Sequence, residues 1–234
     1  TGWMRPLLTI GVLIGVQGAV GWWMVSSGLV GEMTDVASYR LAIHLGLAFV
    51  ILGLIGWAVL RLGLREADLL QARRLREKKL FGMATGLMHL AFLQILLGAL
   101  VAGIDAGRGF TDWPLMAGQV FPPDAFAIAP WWRNFFEDAG LVQFIHRSVG
   151  YLLAIYAVVV FLRARKAGAA RTRSAFMLAT LMIAVQMTLG IVTVLNAATL
   201  HIAITHQAGA ILTWALILRA RFHAGYPVPQ SLRG

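Results

Sequence analysis

The sequence predicts an all-α polytopic membrane protein with six transmembrane helices. Hydrophobic residues make up 59% of the 234-residue chain, whereas typical soluble domains contain about 45–50% apolar residues. Several apolar runs exceed the roughly 18 residues that suffice to cross a hydrocarbon core. Because backbone hydrogen bonds inside lipid must be satisfied within the segment, runs of this length are expected to be helical.

The predicted spans follow one another with connections of very different length. The spans are 6–26, 39–61, 82–103, 142–163, 175–196 and 200–220. The connections are a short loop at 27–38, basic segments at 62–81 and 164–174, a tight turn near Asn196, and a long loop at 104–141. The density of Trp, Phe and Pro in the long loop predicts an ordered cap at the membrane interface. A simple interfacial anchor is the alternative.

The basic residues are distributed unevenly between the two sides of this arrangement. The formal net charge is +10, and sixteen of the twenty Lys and Arg residues fall on the side of Arg5, the two basic segments and the C-terminal tail. The positive-inside rule therefore places both termini of this chain on the cytoplasmic or matrix side, in a bacterial-type cytoplasmic membrane or a mitochondrial inner membrane. These charges indicate topology and lipid contact rather than nucleic-acid binding. Without cysteine, disulfides and thiolate ligands are excluded.

A repeated pattern divides the chain into three helical hairpins. The first helix of each hairpin carries Gln-x-x-x-Gly, and the second carries a histidine followed closely by glycine. The pairs are Gln17/Gly21 with His44, Gln94/Gly98 with His146, and Gln186/Gly190 with His206. Small residues four apart allow helices to approach closely, and a glutamine in lipid seeks an interhelical partner. Helix packing is therefore the expected role of the Gln/Gly pattern.

The three repeated histidines are expected to share one depth in the membrane. His44, His146 and His206 each lie four to six residues beyond the same boundary, about 6–9 Å into the membrane at the helical rise. Two imidazoles at equal depth can bind one haem iron from opposite sides, and a bundle can hold the porphyrin between its helices. We therefore predict haem ligation by His146 and His206. The alternative is that these histidines only satisfy hydrogen bonds within the bundle.

Two arginines accompany these histidines, and the other histidines do not share their pattern. Arg40 is one turn outward from His44, and Arg147 adjoins His146, so each guanidinium could bind a haem propionate. Simple anchoring at the interface is the alternative for both arginines. His201 is predicted to be interfacial and His89 structural, and His223 in the tail carries no signal.

The chain resembles the haem A synthase family over nearly its whole length. The matching segments occur in order and with suitable gaps. They are QGAVGWWMV (17–25), YRLAIHLG (39–46), GALVAGIDAG (98–107), DWPLM (112–116), QFIHR (143–147) and THQAG (205–209). The resemblance implies eight transmembrane helices in two pseudo-symmetric four-helix bundles. It also implies oxidation of the C8 methyl of haem O to a formyl group, which gives haem A for terminal oxidases.

The resemblance also assigns parts of the chain to the two bundles. Residues 1–81 would be the remaining half of the N-terminal, substrate-haem bundle, and 82–234 the C-terminal bundle. In the C-terminal bundle haem b is bound by His146 and His206 with Arg147 beside them, while His44 and Arg40 serve the substrate haem. Two further helices, with a catalytic glutamate and a second substrate histidine, are expected to precede Thr1. The catalytic residues of this chain are therefore unknown.

The expected mechanism passes electrons between haem b and the substrate haem, with water supplying the formyl oxygen. Asp105 and Asp112 are candidates for proton handling or propionate contact. The expected partners are haem O and the lipid bilayer, and further candidates are haem O synthase, terminal oxidase assembly factors and a second copy of the chain. Nucleic acid is not expected. The alternative functions are a b-type cytochrome that only carries electrons and a haem-free membrane scaffold or transporter.

Overall fold

The computed structural model describes residues 2–28 and 35–228, and this part of the chain is helical without β-strands. Six long helices are apolar and long enough to cross a membrane. They are α1 (Met4–Val25), α2 (Ser38–Arg61), α4 (Lys78–Gly103), α6 (Ala139–Ala164), α7 (Ala170–Leu195) and α8 (Leu200–Gly225). The predicted fold class is confirmed, and the protein is an integral membrane protein. Parts of the predicted loop at 27–38 and of the C-terminal tail lie outside the described residues.

Several helices extend beyond the apolar runs from which they were predicted. Helix α7 begins at Ala170 rather than 175, and α8 ends at Gly225 rather than 220. The apolar run marks the hydrocarbon core, but arginine is a good helix former and the backbone ladder continues through it. Helix α6 begins at Ala139 because the Asp138 carboxylate caps it, accepting a hydrogen bond from the Leu141 backbone N–H at 2.7 Å.

The basic segment predicted as a loop at 62–81 contains a helix, α3 (Glu66–Arg74). Acidic residues occupy its first turn and Arg73 and Arg74 its last, which suits the helix dipole. The Arg65 guanidinium also bonds the Asp68 carboxylate in this first turn, at 2.9 Å. Low hydropathy excluded a membrane span here, but it did not exclude a short surface helix.

The long loop is folded against the start of α6. It contains two single-turn 3₁₀ helices (Ala106–Arg108 and Trp131–Arg133) and the short helix α5 (Asn134–Glu137). The Asn134 side chain is fully buried, donates to the carbonyls of Ile128 and Trp131, and accepts from the Ile128 N–H. Buried Gln143 of α6 donates to the carbonyls of Ala106 and Phe110. The loop is therefore an ordered layer over this end of the helices.

Four of the long helices form a closed bundle. Helix α4 packs on α6, α6 on α7, α7 on α8, and α8 on α4, so α6 and α8 face each other diagonally. Helix α2 packs against α4 and α8 from outside, and α1 packs on α2. The division of the chain into 1–81 and 82–234 stays a prediction.

The bundle has its larger buried core at one end, whereas a smaller buried cluster of Ala42, Ala99, Leu100 and Val142 lies toward the other. The larger apolar core lies toward the end that carries α3 and the turn at 165–169, which we call the basic end. Members of this core include Leu80, Leu87, Val160, Phe176 and Ile217. Toward the other end no residue is buried in four stretches of the described chain, at 92–98, 144–152, 184–195 and 200–212. The repeated histidines of the bundle lie in these stretches.

Candidate functional site

His146 is held by a glutamine of the neighbouring helix. The Gln94 Nε2 atom donates to the His146 carbonyl oxygen at 3.0 Å, and the same atom lies 3.2 Å from Nδ1 and 3.4 Å from Nε2 of the ring. Nearly equal distances to both ring nitrogens place the amide over the ring rather than in line with one lone pair. Both in-plane nitrogens of the imidazole therefore remain available to other partners.

The same contact recurs in the other two hairpins. Gln186 Nε2 donates to the His206 carbonyl at 2.7 Å and lies 3.2 Å from its Nδ1. Gln17 Nε2 donates to the His44 carbonyl at 3.1 Å and lies 3.2 Å from both ring nitrogens. The sequence repeat is therefore a repeated interhelical contact.

A glycine one turn after each glutamine makes room for the imidazole. A Cβ atom added to this glycine would crowd the ring's Cε1 atom, at a distance that real Cβ contacts seldom show. The distances would be 2.9 Å for Gly21 to His44, 3.1 Å for Gly98 to His146, and 3.1 Å for Gly190 to His206. Each ring thus lies against the backbone of the neighbouring helix. We call this arrangement the Gln–His–Gly unit.

The structure brings two of the three units together. His146 on α6 and His206 on α8 belong to diagonally opposed helices, and both lie toward the end of the bundle that is away from the basic end. His44 lies on α2, outside the four-helix bundle, and contacts α1 instead. The bundle therefore presents one pair of imidazoles, and the third stands apart from it.

This pair suits a haem better than a metal ion held by protein ligands alone. Within the described residues no group of three or more His, Cys, Asp or Glu side chains could hold a metal ion. Haem iron needs only axial ligands from the protein, and imidazole is a standard one. The stretches around His146 and His206 contain no buried residue, and an apolar porphyrin can pack between the helices of a bundle. The residues present fit a haem with two histidine ligands.

The two predicted propionate arginines make anchoring contacts. Arg147 donates to the carbonyls of Leu115 and Phe110 at 3.0 and 3.1 Å, which ties the long loop to α6. Arg40 donates to the Trp23 carbonyl at 2.7 Å and lies over the indole ring at 4.5 Å. In both arginines Nε is buried without a hydrogen-bond partner in the described chain. Each guanidinium therefore keeps one donor that is not used by these contacts.

Comparison with known proteins identifies the family of the chain. The family model described as COX15-CtaA, cytochrome oxidase assembly protein, matches residues 1–218. The chain belongs to this family. Three curated relatives bear the name "Heme A synthase". They are from Ruegeria sp. strain TM1040 (63% identical over 236 residues), Paracoccus denitrificans strain Pd 1222 (61% over 234) and Cereibacter sphaeroides strain ATCC 17025 (49% over 241).

These alignments cover 99–100% of this chain but 61–62% of each relative. The chain therefore spans about three fifths of the length of the COX15-CtaA relatives that it matches. The family resemblance drawn from the six sequence segments is confirmed.

The remaining histidines of this COX15-CtaA chain lie outside the paired site. His89 is exposed, with its Nδ1 atom 2.9 Å from the Thr85 carbonyl one turn earlier. His201 is also exposed, near the start of α8. His223, predicted to follow the last span, lies inside the last turn of α8 because that helix continues to Gly225.

The two loop carboxylates have local partners. Asp112 accepts hydrogen bonds from the backbone N–H groups of Ala117 and Gly118 at 3.0 and 3.1 Å. These bonds lower the pKa of Asp112 below its ordinary value of 3.8, and the bond from Gly118 has the larger effect. A group that transfers protons works best with a pKa near the working pH. Asp112 is therefore an ionised turn cap, and exposed Asp105 pairs with Arg108 at 3.4 Å.

The Asp112 turn is expected to open only in acid. Because the pKa of the folded state lies below 3.8, the carboxylate stabilises the turn fully above that pH and progressively less as the pH falls through the folded value. Pepsin cleavage within residues 110–121 should therefore be slow at pH 4 and faster at pH 2. In Asp112→Ala it should be fast at both. Equal cleavage of the two proteins at pH 4 would contradict this prediction.

Sequence reasoning missed the contacts of the three glutamines with the histidines. It gave Gln17, Gln94 and Gln186 a packing role, although each of the three hairpins contains one of these glutamines and one of the repeated histidines. This pairing of glutamine with histidine in every hairpin was the available signal. Gln143 was also missed as the residue that binds the long loop, since its neighbour His146 attracted the functional assignment.

Proposed function

We propose that this chain is the haem-binding part of a haem A synthase, which oxidises the C8 methyl of haem O to the formyl group of haem A. The observation that carries the proposal is the pair of Gln–His–Gly units on the diagonally opposed helices α6 and α8, which hold His146 and His206. The name borne by the curated relatives supports the reaction. The substrate, haem O, would be bound by the part of the chain that carries His44.

The residues divide between two haems in this proposal. His146 and His206 hold a haem b in the bundle at 82–234, and His44 binds the substrate haem in the bundle to which 1–81 contributes. Haem iron supplies the one-electron chemistry that amino-acid side chains lack. The long loop covers this end of the bundle, closed onto α6 by the hydrogen bond from Trp113 Nε1 to the Tyr151 hydroxyl at 2.7 Å.

Arg147 and Arg40 would bind the propionates in this proposal, and the Nε–H group without a partner in each guanidinium supports that role. Both basic segments and both ends of this chain would lie on the cytoplasmic or matrix side. Haem O synthase and oxidase assembly factors are the partners that this role predicts.

The pigments of the purified protein test the proposal directly. We expect a reduced-minus-oxidised spectrum with a low-spin b-type signal, and pyridine haemochrome analysis of the extract should show haem O or haem A beside haem b. Haem b alone, with haem O supplied by the host, would favour a b-type electron carrier. A colourless protein from haem-supplemented cells would contradict the proposal and would favour a haem-free scaffold or transporter.

The glutamines are expected to act as positioning residues for the axial histidines. A histidine bound to iron through one ring nitrogen usually donates from the other, and such partners raise metal affinity. The Oε1 atoms of Gln94 and Gln186 are buried and without a partner in the described chain, next to the rings. They are the nearest acceptors that this role could use after a small rotation of the amide.

Replacing Gln94 or Gln186 with leucine should therefore weaken haem retention by about 10–100-fold and shift the midpoint potential. The measurement is the rate of haem transfer to an acceptor apoprotein, together with a redox titration. Gln207→Leu is the matched control, since Gln207 is exposed beside His206. Loss rates and potentials equal to those of the control would show that the glutamines only pack the helices.

A further inference from the structure

A second candidate site lies at the basic end of the bundle, opposite the histidines. A cavity of about 160 Å³ opens between the ends of α2, α4 and α8 and the segment after α3. Its lining includes Trp57, Phe81 and the guanidinium groups of Arg73, Arg76 and Arg221. A neighbouring cavity of about 390 Å³ shares Arg73 and Arg76 and adds two more basic residues, Arg74 and Lys78. No acidic residue lines either cavity.

The described part of the chain offers the cations of this site no carboxylate partner. The ion pairs found among the described residues use Arg65, Arg108, Arg133 and Arg163. None of them uses an arginine of the cavity. Three guanidinium groups around one small cavity repel one another, and the repulsion grows as water is excluded. An anion bound between them would offset that cost.

Two of the three guanidinium groups, those of Arg221 and Arg76, already contact neighbouring side chains. Arg221 donates from Nε to the Thr85 hydroxyl at 3.1 Å, and its guanidinium lies 5.2 Å from the Trp57 ring centre and 4.7 Å from that of Phe81. Arg76 lies over the other side of the site, 5.2 Å from the Phe81 ring centre. Guanidinium groups fixed in this way lose little freedom when they bind a ligand.

The position of the cavity identifies the source of the anion. Trp57 is in the last turns of α2, Phe81 in the first turn of α4, and Arg221 near the end of α8. These are the levels at which apolar helices meet lipid headgroups and aromatic side chains are favoured. Arginine suits phosphate oxygens, and basic pockets between transmembrane helices bind the headgroups of anionic lipids.

We propose that Arg73, Arg76 and Arg221 bind the phosphate of an anionic phospholipid and so hold the segment after α3 against the ends of α2, α4 and α8. This site is independent of the haem site, since its residues lie at the other end of the bundle. The lipid acts as the missing counter-charge. Its headgroup binds in the cavity, and its acyl chains lie along the apolar helices.

Native mass spectrometry of the detergent-purified protein tests the proposal, with cardiolipin and phosphatidylcholine as probes. We expect cardiolipin to be retained and phosphatidylcholine not. The variant Arg73→Gln/Arg76→Gln/Arg221→Gln should bind cardiolipin at least tenfold more weakly. The control Arg165→Gln/Lys166→Gln removes two exposed charges from the turn after α6 at the same end, and it should bind as the wild type does.

Three other results would overturn the proposal. Equal loss in the control would mean that only net charge matters, and unchanged binding in the triple variant would remove the site. Complete displacement of cardiolipin by millimolar inorganic phosphate would indicate a site for free phosphate instead. If the triple variant does not fold, the single variant Arg76→Gln replaces it in the comparison with the control, since Arg76 is half-exposed. This single variant should still weaken cardiolipin binding measurably.

Discussion

Replacing His146 or His206 with alanine is expected to remove the low-spin b-type haem signal from the purified protein. Each substitution deletes one of the two opposed imidazoles, and the remaining ring cannot supply both axial ligands. The six-coordinate, low-spin spectrum should disappear essentially completely, because it requires both axial ligands. His44→Ala should keep the b-type signal, because His44 belongs to another pair of helices, and should lose haem O and haem A.

The matched controls are two exposed histidines of the same four-helix bundle, His89→Ala on α4 and His201→Ala on α8. Both should retain the wild-type spectrum and haem content. If His146→Ala kept a low-spin signal, or if His201→Ala lost it, the assignment of the axial pair would be wrong. Circular dichroism of each variant separates loss of haem from loss of the fold.

Replacing Gly103 with valine should destabilise the protein more than any other single change considered above. Gly103 ends α4 where it meets the start of α2, and an added Cβ would lie 2.8 Å from Cα of Ser38 and 2.9 Å from its Cβ. The obstructing atoms belong to the backbone or adjoin it, so the two helices must separate. Overpacking of this kind costs about 3 kcal/mol at the upper end of its usual range.

Gly82→Val is the control for this substitution. Gly82 lies near the other end of the same helix, and nothing lies within 4 Å of an added Cβ. Both variants exchange the same residue types within α4, so their difference isolates the contact with α2. The midpoint of thermal or SDS unfolding, measured in detergent, should be clearly lower than that of the wild type for Gly103→Val only. Similar midpoints for the two variants would show that the helix crossing can relax.

The membrane fold could be predicted because it depends on runs of residues rather than on particular contacts. Length and apolarity alone located all six spans. The distribution of Lys and Arg divided the connecting segments into a basic set and a set with few basic residues. Helix ends were less certain, as α7 and α8 show, because the hydrocarbon boundary and the end of backbone hydrogen bonding need not coincide. Helix α3 was missed for a related reason, since its nine residues are too few and too polar on average to give the signal of a membrane span.

The site was predictable only in part. The matched depth of His146 and His206 follows from their positions along two helices that start at the same side. Which face of a helix meets its neighbour does not follow, because apolar residues surround every span. The contact of Gln94 with His146 depends on that choice. The anchoring contacts of Arg147 do not follow from the sequence either, because they depend on the path of the long loop. The turns of that loop, such as the one capped by Asp112, are set by local hydrogen bonds.

The uneven packing of the bundle has a consequence for assembly. The apolar core at the basic end, around Leu87 and Phe176, can hold the four helices together without help from the other half. The haem of the proposed function would then enter between α6 and α8 after the chain is inserted in the membrane, without taking that core apart. The protein would thus acquire its full rigidity in two stages, first by burying its own side chains and later by closing around a molecule that it did not make.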